Sequence, residues 1–76
     1  MNEKRRGKLR TAVSMLERAS SIISDVLDEE EEVLDNIPEN LQGSERYEKI
    51  EDTCVNLYDA SEDLDSVIEN INNAIL

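Results

Sequence analysis

Seventy-six residues make one small domain, too short for two independent hydrophobic cores. With 19 Asp and Glu against 8 Lys and Arg, the formal net charge is −11 and the pI is near 4.2, so a phosphate backbone would be repelled by the surface as a whole. There is no His, Trp or Phe and only one Cys, which leaves carboxylates as the sole plentiful groups for any catalysis. A lone Cys54 cannot cross-link the chain to itself, and secreted domains of this size usually need such staples, so a reducing cytoplasm is the expected setting.

The chain opens on a basic cluster. Lys4, Arg5, Arg6, Lys8 and Arg10 stand against Glu3, a net of +4, so residues 11–76 carry −15. Clustered cations of this kind suit a nucleic-acid arm or a lipid headgroup contact, and equally a solvated terminus or an intersubunit partner for the acidic half. Glu17 and Arg18 interrupt what a signal peptide would need as an apolar run. A mitochondrial presequence would share the basic, Ser-containing, amphipathic character, but here the apolar pattern runs on into the acidic region with no visible cleavage boundary. Nothing approaches the length of a transmembrane segment, and no membrane partner is expected.

Helical periodicity follows. Leu9, Leu16, Ile23 and Ile37 recur at multiples of seven, with Glu30 as the polar member, and Ala12, Ala19, Val26 and Val33 lie three residues after them. This spacing predicts an a/d heptad seam on a first helix over about 3–36, with Gly7 as a point of fraying near its start. The only Pro and the second Gly fall in Asn36-Ile-Pro-Glu-Asn-Leu-Gln-Gly-Ser44, which predicts a turn over 37–43. Ser44 is the expected cap of a second helix over about 44–75, with Glu45 and Glu48 in its first turn. Ile50, Leu57, Leu64 and Ile71 supply its d positions, and Tyr47, Cys54, Ser61, Ile68 and Ile75 its a positions.

The fold class expected is all-α: one domain, 1–76, of two long antiparallel helices. Leu16, Ile23, Val26, Ile50, Leu57, Leu64 and Ile71 are the central seam residues. The apolar face is wider than a two-helix contact needs, since Val13, Leu27, Leu34, Met15 and Ile22 widen it on the first helix, and Tyr58, Ala60, Val67 and Ala74 on the second. That width predicts a homodimer, a four-helix bundle or coiled-coil assembly.

The acidic residues are ordered too. Asp25, Asp28, Glu29 and Glu32 follow i, i+3, i+4, i+7 spacing, extended by Glu31 and Asp35. On the second helix Glu45, Asp52 and Asp59 form a column, with Glu48, Glu62, Asp63 and Glu69 beside it. Helix neighbours at these spacings stand roughly 5 to 6 Å apart, comparable with phosphates along a strand. Beyond residue 10 only Arg18, Arg46 and Lys49 are available to compensate them. The candidate partner-binding residues are therefore Asp25, Asp28, Glu29, Glu32, Glu48, Asp52, Asp59 and Asp63; the plainer reading is a solubilising helix surface.

Within the seam, Glu30 requires an opening to solvent or a partner such as Tyr58, Ser61 or an Arg of another chain, and specifying register is its expected use. Cys54 reads as a small core residue, with no cation nearby to activate the thiol. Catalytic and metal patterns fail. Glu48 with Glu51 and Glu62 with Asp65 have the i, i+3 spacing of helical pyrophosphohydrolases, but they share one helix. A di-iron site requires His. Asp59–Asn70 has Leu64 where a calcium loop needs Gly, and Asn70 where it needs Glu. No enzyme activity, cofactor or metal is expected.

The stretch Asn36-Ile-Pro-Glu-Asn-Leu-Gln-Gly-Ser-Glu-Arg-Tyr-Glu-Lys49, with the acidic helix to about Glu69, resembles small helical-hairpin proteins of unassigned function from phages, prophages and their bacterial hosts. The resemblance implies a phage-associated accessory protein in a bacterial cytoplasm. By analogy it implies an inhibitor of a host defence or DNA-handling enzyme. The functional expectation joins this to the charge: a non-enzymatic, DNA-mimic-like protein whose acidic helices occupy a basic, nucleic-acid-binding surface on a host protein. A scaffold homo-oligomer with a merely solubilising surface is the alternative. Direct nucleic-acid contact is expected only through Lys4, Arg5, Arg6, Lys8 and Arg10, if at all.

Overall fold

The computed structural model describes residues 1–76 and is a helical hairpin without strands. Helix α1 spans Glu3–Asp35 and helix α2 spans Glu45–Ile75. Asn2 caps α1, its Oδ1 accepting from the Arg5 backbone N–H at 2.9 Å, which satisfies one of the N–H groups that a helix start leaves free. The helix runs through Gly7 without a break. One Gly costs about 1 kcal/mol, which a helix of nine turns absorbs.

Pro38 terminates α1 as its chemistry requires. Asn36 still donates to the Glu32 carbonyl at 3.1 Å, then Pro38 adopts extended geometry (φ −56°, ψ 145°). A single 3-10 turn, Glu39–Leu41, follows inside the connection. Gly43 has φ +156°, a backbone geometry at which a side chain would be strained. Ser44 then caps α2, its Oγ accepting from the Tyr47 N–H at 3.2 Å, with Glu45 and Glu48 in the first turn.

The two helices lie against each other along a rod whose Cα extents are 59 × 15 × 14 Å. The radius of gyration is 17.3 Å, against about 11 Å for a compact chain of this length. A two-layer rod has little interior, and only Val13, Leu27 and Cys54 are buried. On α2 the inward residues are Tyr47, Ile50, Cys54, Leu57, Ser61, Leu64, Ile68, Ile71 and Ile75, the seam expected from spacing. On α1, Leu9, Leu16 and Ile23 also turn inward, and Ile37 in the connection is half-buried.

The companion series on α1 differs from the expectation at Val26 and Val33, while Ala12 and Ala19 are half-buried. Val13, Ser20, Leu27 and Leu34, four residues after the Leu9 series, line the contact, while Val26 and Val33 are 41% and 40% exposed. Val26 is thus outside the seam of the hairpin. Both series have heptad spacing, but the one with Leu27 and Leu34 removes more apolar area from water, at the cost of placing Ser20 inside. In heptad terms Leu9, Leu16, Ile23 and Glu30 are the d positions of α1, and Val13, Ser20, Leu27 and Leu34 the a positions.

Glu30 remains in the seam, half-buried. No hydrogen bond or ion pair holds it; the Tyr58 hydroxyl donates instead to Glu62 Oε1 at 2.9 Å. Its carboxylate reaches water at the seam edge, since no buried side-chain oxygen lacks a partner. Glu30→Leu is expected to raise Tm by several degrees: part of a Leu side chain buried where a charge now stands is worth about 1 kcal/mol, and in a chain this small 1 kcal/mol moves Tm by about 4–8 °C. Thermal unfolding followed by circular dichroism checks this.

Candidate functional site

An antiparallel helix pair brings the two e columns together along one edge and the two g columns along the other. On α1 the e column is Arg10, Glu17, Ser24 and Glu31; on α2 it is Glu51, Tyr58, Asp65 and Asn72. All eight are exposed. Glu31 and Glu51 lie at one level, both bearing on the Cys54 thiol. Two heptads along, the same register sets Glu17 against Asp65. Such edge pairs stabilise a coiled coil when their signs are opposite; here they repel.

Asp25, Asp28, Glu29 and Glu32 are all exposed on the outer face of α1, and Glu48, Asp52, Asp59 and Asp63 on the outer face of α2. These rows do not share a face. Each helix turns its back away from the other, so the rows lie on opposite sides of the rod, joined across the e edge by Glu31 and Glu51. The acidic surface therefore wraps three sides of the loop-proximal half. Spacing along one helix revealed each row; the joining e residues emerge only once the helices are paired.

The compensation is sparse. The chain has two ion pairs, both made by Glu3: to Arg10 at 2.6 Å and to Arg6 at 3.9 Å. Arg6 also uses its Nε to donate to the Ile75 carbonyl at 3.1 Å, fastening the open end of the hairpin. Lys4, Arg5 and Lys8 are left exposed and unpaired. Every carboxylate from Glu17 to Glu69 is without a salt-bridge cation.

Cys54 is the one thiol, and its surroundings suppress its reactivity. Burial pushes the thiol pKa up, and Glu31, Glu30, Asp35 and Glu51 push it the same way. The folded chain keeps the proton at a pH where an unfolded chain releases it, so this group's contribution to stability is lost as pH rises through the thiol range. Reaction with an aromatic disulfide reagent at pH 8 is expected to be at least about tenfold slower in the folded chain than in denaturant, because the thiolate is the attacking species. Equal rates would show that the seam leaves Cys54 open. The Tyr58 hydroxyl is also held above its usual range, by its hydrogen bond to Glu62 and that carboxylate's charge.

No three Asp, Glu or Cys side chains converge as metal ligands would, and no pocket opens on the rod. No helix is long and apolar enough to cross a membrane. No protein-family model, curated protein or solved structure matches the chain. The chemistry that the arrangement offers is a field: exposed negative charge held on a rigid support.

Proposed function

We propose that this chain is a non-enzymatic binding protein whose acidic rod occupies a basic, nucleic-acid-binding surface on another protein. The observation that supports this reading is that two of the four opposed levels of the e edge set carboxylate against carboxylate in the heptad register, Glu31 with Glu51 and Glu17 with Asp65, beside unpaired carboxylates on both outer faces. A surface shaped only for solubility gains from mixed signs, through pairs worth about 0.2–0.5 kcal/mol each. Beyond the two ion pairs of Glu3, this rod forgoes them.

Shape supports the same reading. Two helices of about 10–12 Å diameter side by side make a rod roughly as wide as a duplex. It presents 18 carboxylates beyond residue 10, a lower charge density than the one per ~1.7 Å of duplex DNA. Such a field steers a cationic cleft onto the rod and holds it by charge complementarity. The narrower identification, a phage-associated inhibitor of a host defence enzyme in a bacterial cytoplasm, is suggested by the turn signature from Asn36 to Lys49.

The test is the salt dependence of binding to a purified basic nucleic-acid-binding protein. Affinity is expected to fall steeply as salt approaches about 0.5 M, where charges separated by more than a few Å are screened. Binding that is indifferent to salt would instead favour a scaffold docking through apolar contacts.

A further inference from the structure

The edge opposite the acidic one has a different composition. The g column of α1 is Ala12, Ala19, Val26 and Val33, and that of α2 is Thr53, Ala60, Val67 and Ala74; Met15 and Ile22, at c, extend the α1 side. Met15 is 69% exposed, Ile22 55% and Val26 41%. Along α1 the residues 12, 15, 19, 22, 26 and 33 repeat the three-four spacing of a second heptad seam, rotated from the one that binds α2. Small residues in the middle of this strip let another helix approach closely. The outer rim of α2 is polar, with Lys49, Asn56, Asp63 and Asn70, so α1 is the centre of the strip.

We propose that this edge binds a second copy of the chain, laid end over end, with α1 packed antiparallel on α1 of the second copy to close a four-helix bundle. Two quantities on the surface of the rod select this occupant. The chain exposes 5794 Å², whereas a compact protein of 8.7 kDa exposes about 4,700 Å². The excess, roughly 1,100 Å², exceeds the ~800 Å² that each partner contributes to a standard stable interface.

Charge then fixes the orientation. Residues 1–10 carry +4 at the open end of the hairpin, and residues 25–52 carry −10 toward the loop. Side by side with loops together, two copies would set −10 against −10. End over end, each basic end lies on the other copy's acidic half. The strip itself has this polarity, because Arg5 continues its g column and Lys8 its c column at one end, while Glu29 occupies the c position at the other. The assembly leaves the e edges outward, together with Asp25, Asp28 and Glu32 on α1 and Asp52 and Asp59 on α2, and of the candidate partner-binding residues on α1 it borders only Glu29.

Sedimentation equilibrium at tens of micromolar is expected to give twice the 8.7 kDa chain mass. The double variant Ile22→Glu, Val26→Glu, altered only at exposed positions, is expected to sediment as one chain with its helical signal retained. In a Cys54→Val background, mixing the Ala12→Cys and Val33→Cys proteins under oxidation is expected to give the mixed disulfide in preference to either symmetric one. A single-chain mass for the native protein, or a dimer that survives the double variant, overturns the proposal. Predominant Ala12→Cys self-cross-linking overturns the orientation. Cross-linking is read by mass alone, so the result stands even if a variant is less stable.

Discussion

Replacing Leu27 with Ala is expected to lower Tm by about 10–20 °C. Leu27 is 8% exposed and one of only three buried residues, and Leu→Ala at buried sites costs about 2–5 kcal/mol. A narrow two-helix seam can partly collapse around the loss, so about 2–3 kcal/mol is the applicable part of that range. In a domain this small, each kcal/mol is worth about 4–8 °C. Val26→Ala is the contrasting variant. One residue earlier and 41% exposed, Val26 lies on the edge assigned to the second copy. Its loss is expected to matter little to a dilute chain and more as concentration rises, because a contact between copies stabilises by mass action. Scanning calorimetry of both variants over a range of concentrations checks the register of α1. Equal, concentration-independent losses would contradict it.

Reversing Asp25, Asp28, Glu29 and Glu32 to Lys is expected to weaken capture of a basic partner by at least about 100-fold, with helical content retained. Four reversals move the net charge from −11 to −3 and place cations where the partner's own cations approach. Like-charge juxtaposition at an interface costs several kcal/mol, which exceeds the factor expected. All four side chains are exposed, and none makes a hydrogen bond or ion pair within the chain. Because Glu29 also belongs to the edge assigned to the second copy, Asp52→Lys with Asp59→Lys on the outer face of α2 provides the independent arm. It is expected to weaken capture without changing mass in solution. Unchanged binding in both variants would sink the acidic-surface reading.

The sequence made α2 legible because its apolar residues occupy a single seam, from Tyr47 to Ile75, with no rival series of comparable bulk. On α1 two series compete. Ala12, Ala19, Val26 and Val33 follow the Leu9 series by three residues, and Val13, Leu27 and Leu34 by four; spacing alone accepts both. Pairing with α2 decides between them by bulk, and leaves Val26 and Val33 of the other series exposed. The breadth that the sequence shows is thus two seams side by side. Pro38 and Ser44 were readable because each acts through its own backbone chemistry. The 3-10 turn at Glu39–Leu41 was not, since it arises from how the connection closes onto both helix ends. The acidic rows were readable one helix at a time. Their placement on opposite sides, and the confrontation of Glu31 with Glu51, depend on antiparallel register, which no local window contains.

The most direct test of the acidic-rod account is competition with nucleic acid. The immobilised protein is exposed to a bacterial lysate treated with nuclease, and the bound proteins are challenged with duplex DNA at constant salt. The account predicts that the captured proteins are nucleic-acid binders, that DNA releases them, and that the Asp25, Asp28, Glu29, Glu32 reversal captures none of them. Proteins held equally by the native and reversed chains, and not displaced by DNA, would contradict it.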